Sequence, residues 1–169
     1  MDFKWSPDNK WFAISYTGNR HDPYSDVGIV SAQGGKVHNL TNTGYFDEDP
    51  QWVLDGNALL FTSDRYGMRS HASWGSLNDV MIIYLNRKAY ELAKMSKEEY
   101  EIYTEAEKKA KEAEKKDADK KDDKKSEAKV DDIVVELDNI EDRIVRLTPN
   151  SGQLGGYTMD KKGDRKSVV

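Results

Sequence analysis

The chain has 169 residues, with 26 Lys and Arg against 31 Asp and Glu, a net charge of -5 and no cysteine. Disulfide frameworks and cysteine-built zinc sites are thereby excluded, no apolar run approaches the roughly 18 residues of a membrane span, and the acidic balance has the wrong sign for a nucleic-acid surface. The length suits about one domain.

In chain order, the first unit opens with Trp5-Ser6-Pro7-Asp8-Asn9-Lys10, a turn that leads into the β-rich run Trp11 to Tyr16. Asn tolerates the positive φ of a tight hairpin. A second strand is expected over Val27 to Ser31, a Gly34-Gly35 turn, and a last strand over Val37 to Leu40, which Thr41 closes. The second unit repeats this plan at an offset of 47: Trp52 matches Trp5, Asp55 matches Asp8, and Asp55-Gly56 turns into Leu59 to Thr62. Asp79 to Ile83 then matches Asp26 to Val30, and Leu147-Thr148 matches Leu40-Thr41. Each unit makes about four antiparallel strands, and such a sheet cannot bury both faces alone, so copies must stack. Recurrence marks Trp5 and Trp52 as packing residues. Where no neighbouring unit covers them, Trp5, Trp52, Phe12, Leu60 and Ile82 are expected to be partly exposed.

After the Asp79 strand of the second unit, between two strands of that unit, lies an insertion. Residues 86 to 130 hold 14 basic and 13 acidic side chains, so the stretch is more than half charged yet nearly neutral. Ser96-Lys97-Glu98-Glu99 fits a capping box that starts a helix. A shorter helix is expected around Ala89, Leu92 and Ala93. Past Lys116 the apolar positions vanish, and a solvated spacer is expected there.

The loop from Asp64 to Ser76 is longer than its counterpart, with 18 residues from Phe61 to Asp79 against 12 from Ile14 to Asp26. It gathers Arg65, Arg69, His71 and Trp74, the candidate ligand-binding residues, since Arg can grip a carboxylate such as a peptide's. The competing reading is packing, with Asp64 and Arg65 as a buried pair and Trp74 as a wedge. Asp47-Glu48-Asp49 invites a calcium site but lacks the alternating oxygens of a calcium loop, so a strand-entry turn with solvated acids is expected. No metal site and no cofactor are expected.

The Trp-Ser-Pro-Asp turn, the Asp26 strand, the Gly-Gly turn and the terminal Leu-Thr resemble the WD40-like repeats of TolB and tricorn β-propellers. Together with Thr62 to Ser76, the Lys/Glu-rich insertion and Val135 to Pro149, they resemble the propeller region of tricorn-type peptidases, the S41 family of serine peptidases. The resemblance covers nearly the whole chain. It implies an all-β fold, a partial β-propeller of four-stranded antiparallel blades with a charged helical or disordered insertion inside one blade. The divisions are then 1–42 for the first blade, 43–85 and 131–150 for the second, 86–130 for the insertion and 151–169 for the start of a truncated third. It further implies a non-catalytic part of a peptidase that degrades oligopeptides, which it would filter or channel toward a catalytic domain outside this chain. Gly-x-Ser-x-Gly is absent, and the histidines, His21, His38 and His71, all fall in repeat segments, so no catalytic residue can be carried over. A TolB-like protein-interaction scaffold with no enzyme attached is the alternative. Oligopeptides are the expected partners, with no nucleic acid and no membrane, and a homo-oligomer is expected of the complete protein. The expected location is cytoplasmic, with the periplasm as alternative.

Overall fold

A computed structural model describes residues 3–18, 22–69, 75–118, 132–159 and 165–168. The first turn is built by its own side chains. Ser6 Oγ donates to Asp8 Oδ1 at 2.5 Å and accepts from the backbone N–H of Trp11 at 2.9 Å, while Asn9 takes a φ of 57°. With the turn closed locally, β1 (Phe3–Trp5) pairs antiparallel with β2 (Trp11–Tyr16), Trp5 opposite Phe12. β3 (Asp26–Ser31) and β4 (His38–Asn39) complete a four-stranded meander in the order β1-β2-β3-β4. The return from β3 passes Gly34 and Gly35 at φ 87° and 116°, a region open to glycine without strain.

The second sheet repeats the meander with β5 (Asp47–Val53), β6 (Ala58–Ser63), β7 (Asp79–Tyr84) and β8 (Ile144–Arg146). Its first hairpin turns through a short 3-10 segment, Leu54–Gly56, in which Gly56 has φ 90°. A Cβ there would also lie 2.3 Å from Ile133 Cδ1, so both backbone and space demand glycine. β5 is bulged: its register slips between Glu48 and Gln51, around Asp49 at φ 50° and Pro50. A proline without an N–H is accommodated at such a bulge.

β7 and β8 are neighbours in space although the insertion separates them in sequence. α1 (Arg87–Lys94) is capped by Asn86, which accepts from Ala89 N–H at 2.8 Å. α2 (Lys97–Ala118) begins at the expected capping box: Ser96 N–H donates to Glu99 Oε2 at 2.8 Å, and Glu99 N–H to Ser96 Oγ at 3.3 Å. The chain then returns across the first sheet's opening turn. Ile133 N–H donates to Asp8 Oδ2 at 3.0 Å, Asp132 pairs with Lys10 at 2.5 Å, and Glu136 N–H reaches Leu85 O at 2.8 Å. Arg143, buried, holds this return segment by donating to the carbonyls of Tyr84, Asp138 and Glu136.

The core follows the period-two alternation of strands. Leu59 and Phe61 of β6 join Ala13, Val27, Ile29, Met81 and Ile83 between the two sheets. Ala58 and Leu60 point the other way and join Val80 and Ile82, covered by Ala89 and Tyr90 of α1 and by Leu154, Tyr157 and Met159. The expectation that Leu60 and Ile82 are partly exposed is therefore overturned, because α1 and β9 (Gly156–Met159) supply the missing cover. Trp5, with Phe12 beneath it at 4.0 Å between ring centroids, remains 52% exposed. Trp52 is half-buried and donates its Nε1–H to Lys4 O at 2.9 Å. β9 pairs antiparallel with β10 (Arg165–Val168). The chain is thus mostly β, two four-stranded antiparallel sheets and a hairpin, with no closed sheet among the described residues.

Candidate functional site

One end of the two sheets concentrates buried carboxylates, each placed by the repeat. Asp26, at the head of β3, accepts from Asn39 Nδ2 at 2.8 Å, from Thr43 N–H at 2.8 Å and from the Thr41 hydroxyl at 3.2 Å. Thr41 Oγ1 in turn accepts from Val27 N–H. Asp79, at the head of β7, repeats the device with the Thr148 hydroxyl at 2.6 Å, Ser151 at 2.8 Å and Arg146 at 2.8 Å, while Val80 N–H donates to Thr148 Oγ1. The terminal Leu-Thr of each unit is explained by this lock: the leucine position packs, and the threonine ties the chain end back to the strand that precedes it.

Between these locks lie Asp47 and Asp64, and here two expectations fail. Asp47 is not a solvated acid; it is fully buried, accepts from Thr43 Oγ1 at 2.6 Å and pairs with Arg65 at 3.0 Å. Asp64 does not pair with Arg65. It accepts from Phe46 N–H at 3.0 Å and Ser76 Oγ at 3.1 Å, and its cation is Arg69 at 3.3 Å. The partners are exchanged because Asp47 and Ser63 are cross-strand neighbours, so Arg65, two residues past Ser63, folds back onto the β5 carboxylate. Buried carboxylates need such charge-assisted partners.

Arg69 is held on several sides. Its guanidinium lies 5.4 Å from the Tyr24 ring and 5.2 Å from the Tyr45 ring, and it donates to Tyr24 Oη and Gly44 O, each at 3.4 Å. Partial desolvation works against its charge, but Asp64 and Tyr24 outweigh this and raise its pKa. The loop that carries it narrows to a ladder in which Leu77 N–H donates to Met68 O and Arg69 bridges to Ser76. A Cβ on Gly67 would sit 1.6 Å from Leu77 O, so this crossing requires glycine. His71 and Trp74 lie outside the described residues.

A cleft of about 760 Å³ opens beside this loop, lined by Tyr24, Phe46, Glu48, Thr62, Arg69 and Asn78 among others. Glu48 and Asp49, unlike Asp47, are exposed. No group of metal-ligating side chains occurs among the described residues. Sequence reasoning missed Asp47 as the partner of Arg65, and it missed Tyr24 and Tyr45. The signal was faint: tyrosines in turns, distant from Arg69 in the chain.

No family model matches the chain. Over 61 residues it is 31% identical to the "Uncharacterized peptidase YuxL" of Bacillus subtilis (strain 168), a match spanning 36% of this chain and 9% of that protein. The structure superposes on the crystal structure of the tricorn protease with a TM-score of 0.50 over 92% of this chain and 14% of that one, at 14% identity. The chain therefore spans a small part of the length of both. What these similarities establish is a mostly-β fold of the kind found in part of the tricorn protease, together with a short stretch of sequence shared with a protein named as a peptidase.

Proposed function

We propose that the chain is a propeller segment of a tricorn-like S41 serine peptidase, and that it filters or channels oligopeptides toward a catalytic domain elsewhere in the complete protein. The observation that carries this reading is the pair of consecutive four-stranded sheets, each closed by the same Asp-to-Thr lock, in a chain whose structure follows the tricorn protease over 92% of its length. The peptidase-named relative supports the same reading. His38, the histidine among the described residues, lies edge-on to Trp11 with ring centroids 6.4 Å apart and serves packing. In this reading the protein works in the cytoplasm as a homo-oligomer and without a cofactor, and two sheets plus a hairpin form part of a closed ring of blades.

Fluorogenic oligopeptides test the reading. The complete protein should hydrolyse them, a serine-directed reagent should stop it, and the 169-residue chain alone should give the rate of the buffer. Turnover by the chain alone would remove the non-catalytic role. A complete protein that cleaves no peptide would replace the reading with the TolB-like scaffold.

A further inference from the structure

Two clefts meet at Pro23 and Glu48. The larger is the 760 Å³ cleft beside Arg69; the smaller, about 480 Å³, is lined by Lys4, Tyr16 and Asp49. Glu48 is exposed and belongs to both. One of its carboxylate oxygens accepts from Ser25 Oγ at 3.1 Å, and the other has no partner among the described residues.

The cation of the larger cleft is already committed. Arg69 is held by Asp64, Tyr24 Oη, Gly44 O and two aromatic rings. A ligand carboxylate would have to draw it from a buried acid. The smaller cleft carries one cation, Lys4, against two carboxylates, Glu48 and Asp49, and the Asp49 carboxylate already accepts from Gln51 Nε2 and Tyr157 Oη, each at 3.2 Å. The charge left to meet a ligand at the junction is the Glu48 carboxylate, and beside it stand Tyr24 and Phe46 with ring centroids 5.2 Å apart. A carboxylate next to aromatic faces suits an ammonium group, which donates charge-assisted hydrogen bonds to the one and is drawn by the quadrupole of the other.

We infer that the junction of the two clefts is a seat for a primary ammonium group of an oligopeptide, with Glu48 as its acceptor. This rests on the proposed reading only in taking a peptide as the ligand. In this inference Arg69 walls the larger cleft and does not itself receive a peptide carboxylate, and Arg65, held by Asp47, lines neither cleft. Two sources supply the same chemistry, the peptide's own N-terminus and a lysine side chain.

Fluorescence anisotropy with C-terminally labelled tetrapeptides separates them. A lysine-free peptide with a free N-terminus, its Nα-acetylated form, and an Nα-acetylated form carrying lysine are titrated into the chain at low salt. Loss of the ammonium should weaken binding about tenfold, and Glu48→Gln should erase the difference between peptides with and without it. Restoration by lysine in the acetylated peptide assigns the seat to side chains; weak binding of that peptide with tight binding of the free one assigns it to the terminus. The inference is overturned if neither a free terminus nor a lysine strengthens binding, if no peptide binds, or if Glu48→Gln leaves the preference intact. The peptide comparison in the unaltered chain needs no variant, so the outcome does not hang on the folding of one. Hydrolysis by the complete protein is read separately. Cleavage without an ammonium preference sinks the seat and spares the peptidase reading, and an ammonium preference without cleavage does the reverse.

Discussion

Sheet 1 (β1–β4) and sheet 2 (β5–β8) share strand order and closing lock, but they are not equally covered. In sheet 2 both faces are buried: Phe61 and Ile83 on one side and Leu60 and Ile82 on the other are at most 1% exposed. In sheet 1 the face toward sheet 2 is as well buried, with Val27 and Ile29 at 0%, while Phe3 and Trp5 on the opposite side are 58% and 52% exposed. The repeat therefore specifies a strand with two apolar faces, and burial is conferred by the neighbour. Sheet 2 has one neighbour in sheet 1 and another in α1 with β9; among the described residues the outer face of sheet 1 has none.

Truncations test this asymmetry most directly, and they should have the largest effects. Phe61→Ala removes a fully buried ring between the sheets and should destabilise by about 3 to 5 kcal/mol, and Ile82→Ala by about 2 to 5 kcal/mol. Trp5→Ala should lose no more than about 1 kcal/mol, since half of its surface is already in water. Urea midpoints at unchanged slope measure all three. A loss at Trp5 equal to that at Phe61 would show that the outer face of sheet 1 is covered in solution.

The two locks come next. Asp26 gathers neutral donors, whereas Asp79 adds the cation of Arg146. Asp26→Ala leaves a backbone N–H and two side chains short of an acceptor, a loss of about 1 to 3 kcal/mol. Asp79→Ala also strands a partly buried guanidinium and should cost about 3 to 5 kcal/mol. Adding Arg146→Ala to Asp79→Ala should recover part of that loss, and the same second change beside Asp26→Ala should recover none. Denaturant unfolding of the four variants measures the coupling.

A smaller effect marks the return segment. Burial raises the Asp8 pKa, but hydrogen bonds from Ser6, Ile133 N–H and Lys10 N–H outweigh it and hold the carboxyl below its ordinary 3.8. A group depressed on folding contributes stability that is present above its unfolded pKa and lost as pH falls through the folded one. Asp8→Asn should accordingly reduce stability at neutral pH, and the gap to the unaltered chain should close on acidification below about pH 4. Thermal melts at a series of pH values check this. A gap that stays constant into acid would show that the bonds from Ile133 and Lys10 do not depend on the charge.

What was legible in the sequence was local. The turns at Asp8-Asn9 and Asp55-Gly56, the Ser96 capping box, and the strands flanking Gly34-Gly35 depend on residues within a few positions of one another, and their chemistry is written in those neighbours. The recurrence of Asp with Leu-Thr was visible too, although not the bond that joins them. The exchange that sends Arg65 to Asp47 and Arg69 to Asp64, the clamp on Arg69 by Tyr24 and Tyr45, and the bond from Ile133 to Asp8 across 125 residues depend on which turn docks on which. Alternation along a strand carries no such information. The same limit applies to Leu60 and Ile82: their alternation marks an apolar face, and the covering helix and hairpin lie elsewhere in the chain.

The smallest effect is expected from the insertion, and it bears on the comparison because sheet 1 closes the same connection with a glycine turn. α1 belongs to the fold: Ala89 and Tyr90 cover sheet 2, and the Tyr84 and Tyr90 rings meet at a tilt of 48° with centroids 5.7 Å apart. α2 is tied to α1 by Lys88 and Glu107 at 2.7 Å, with the Tyr103 hydroxyl on the same carboxylate, while Tyr100 and Ile102 are exposed. An exposed pair of this kind contributes little. Exchanging a long connection for a shorter one changes closure entropy by only about 0.6 kcal/mol per doubling. Replacing Lys97 to Lys129 with a short Gly/Ser linker, leaving α1 and Ile133 in place, should therefore shift the melting temperature by no more than a few degrees. Extending the deletion back through Ala89 and Tyr90 should produce a distinctly larger drop, because it strips the α1 half of the cover from Leu60 and Ile82, leaving Leu154, Tyr157 and Met159, and moves the outer face of sheet 2 toward the exposed state of sheet 1. Equal effects from the two deletions would mean that α2 packs on the sheets and that the insertion is part of the fold along its whole length.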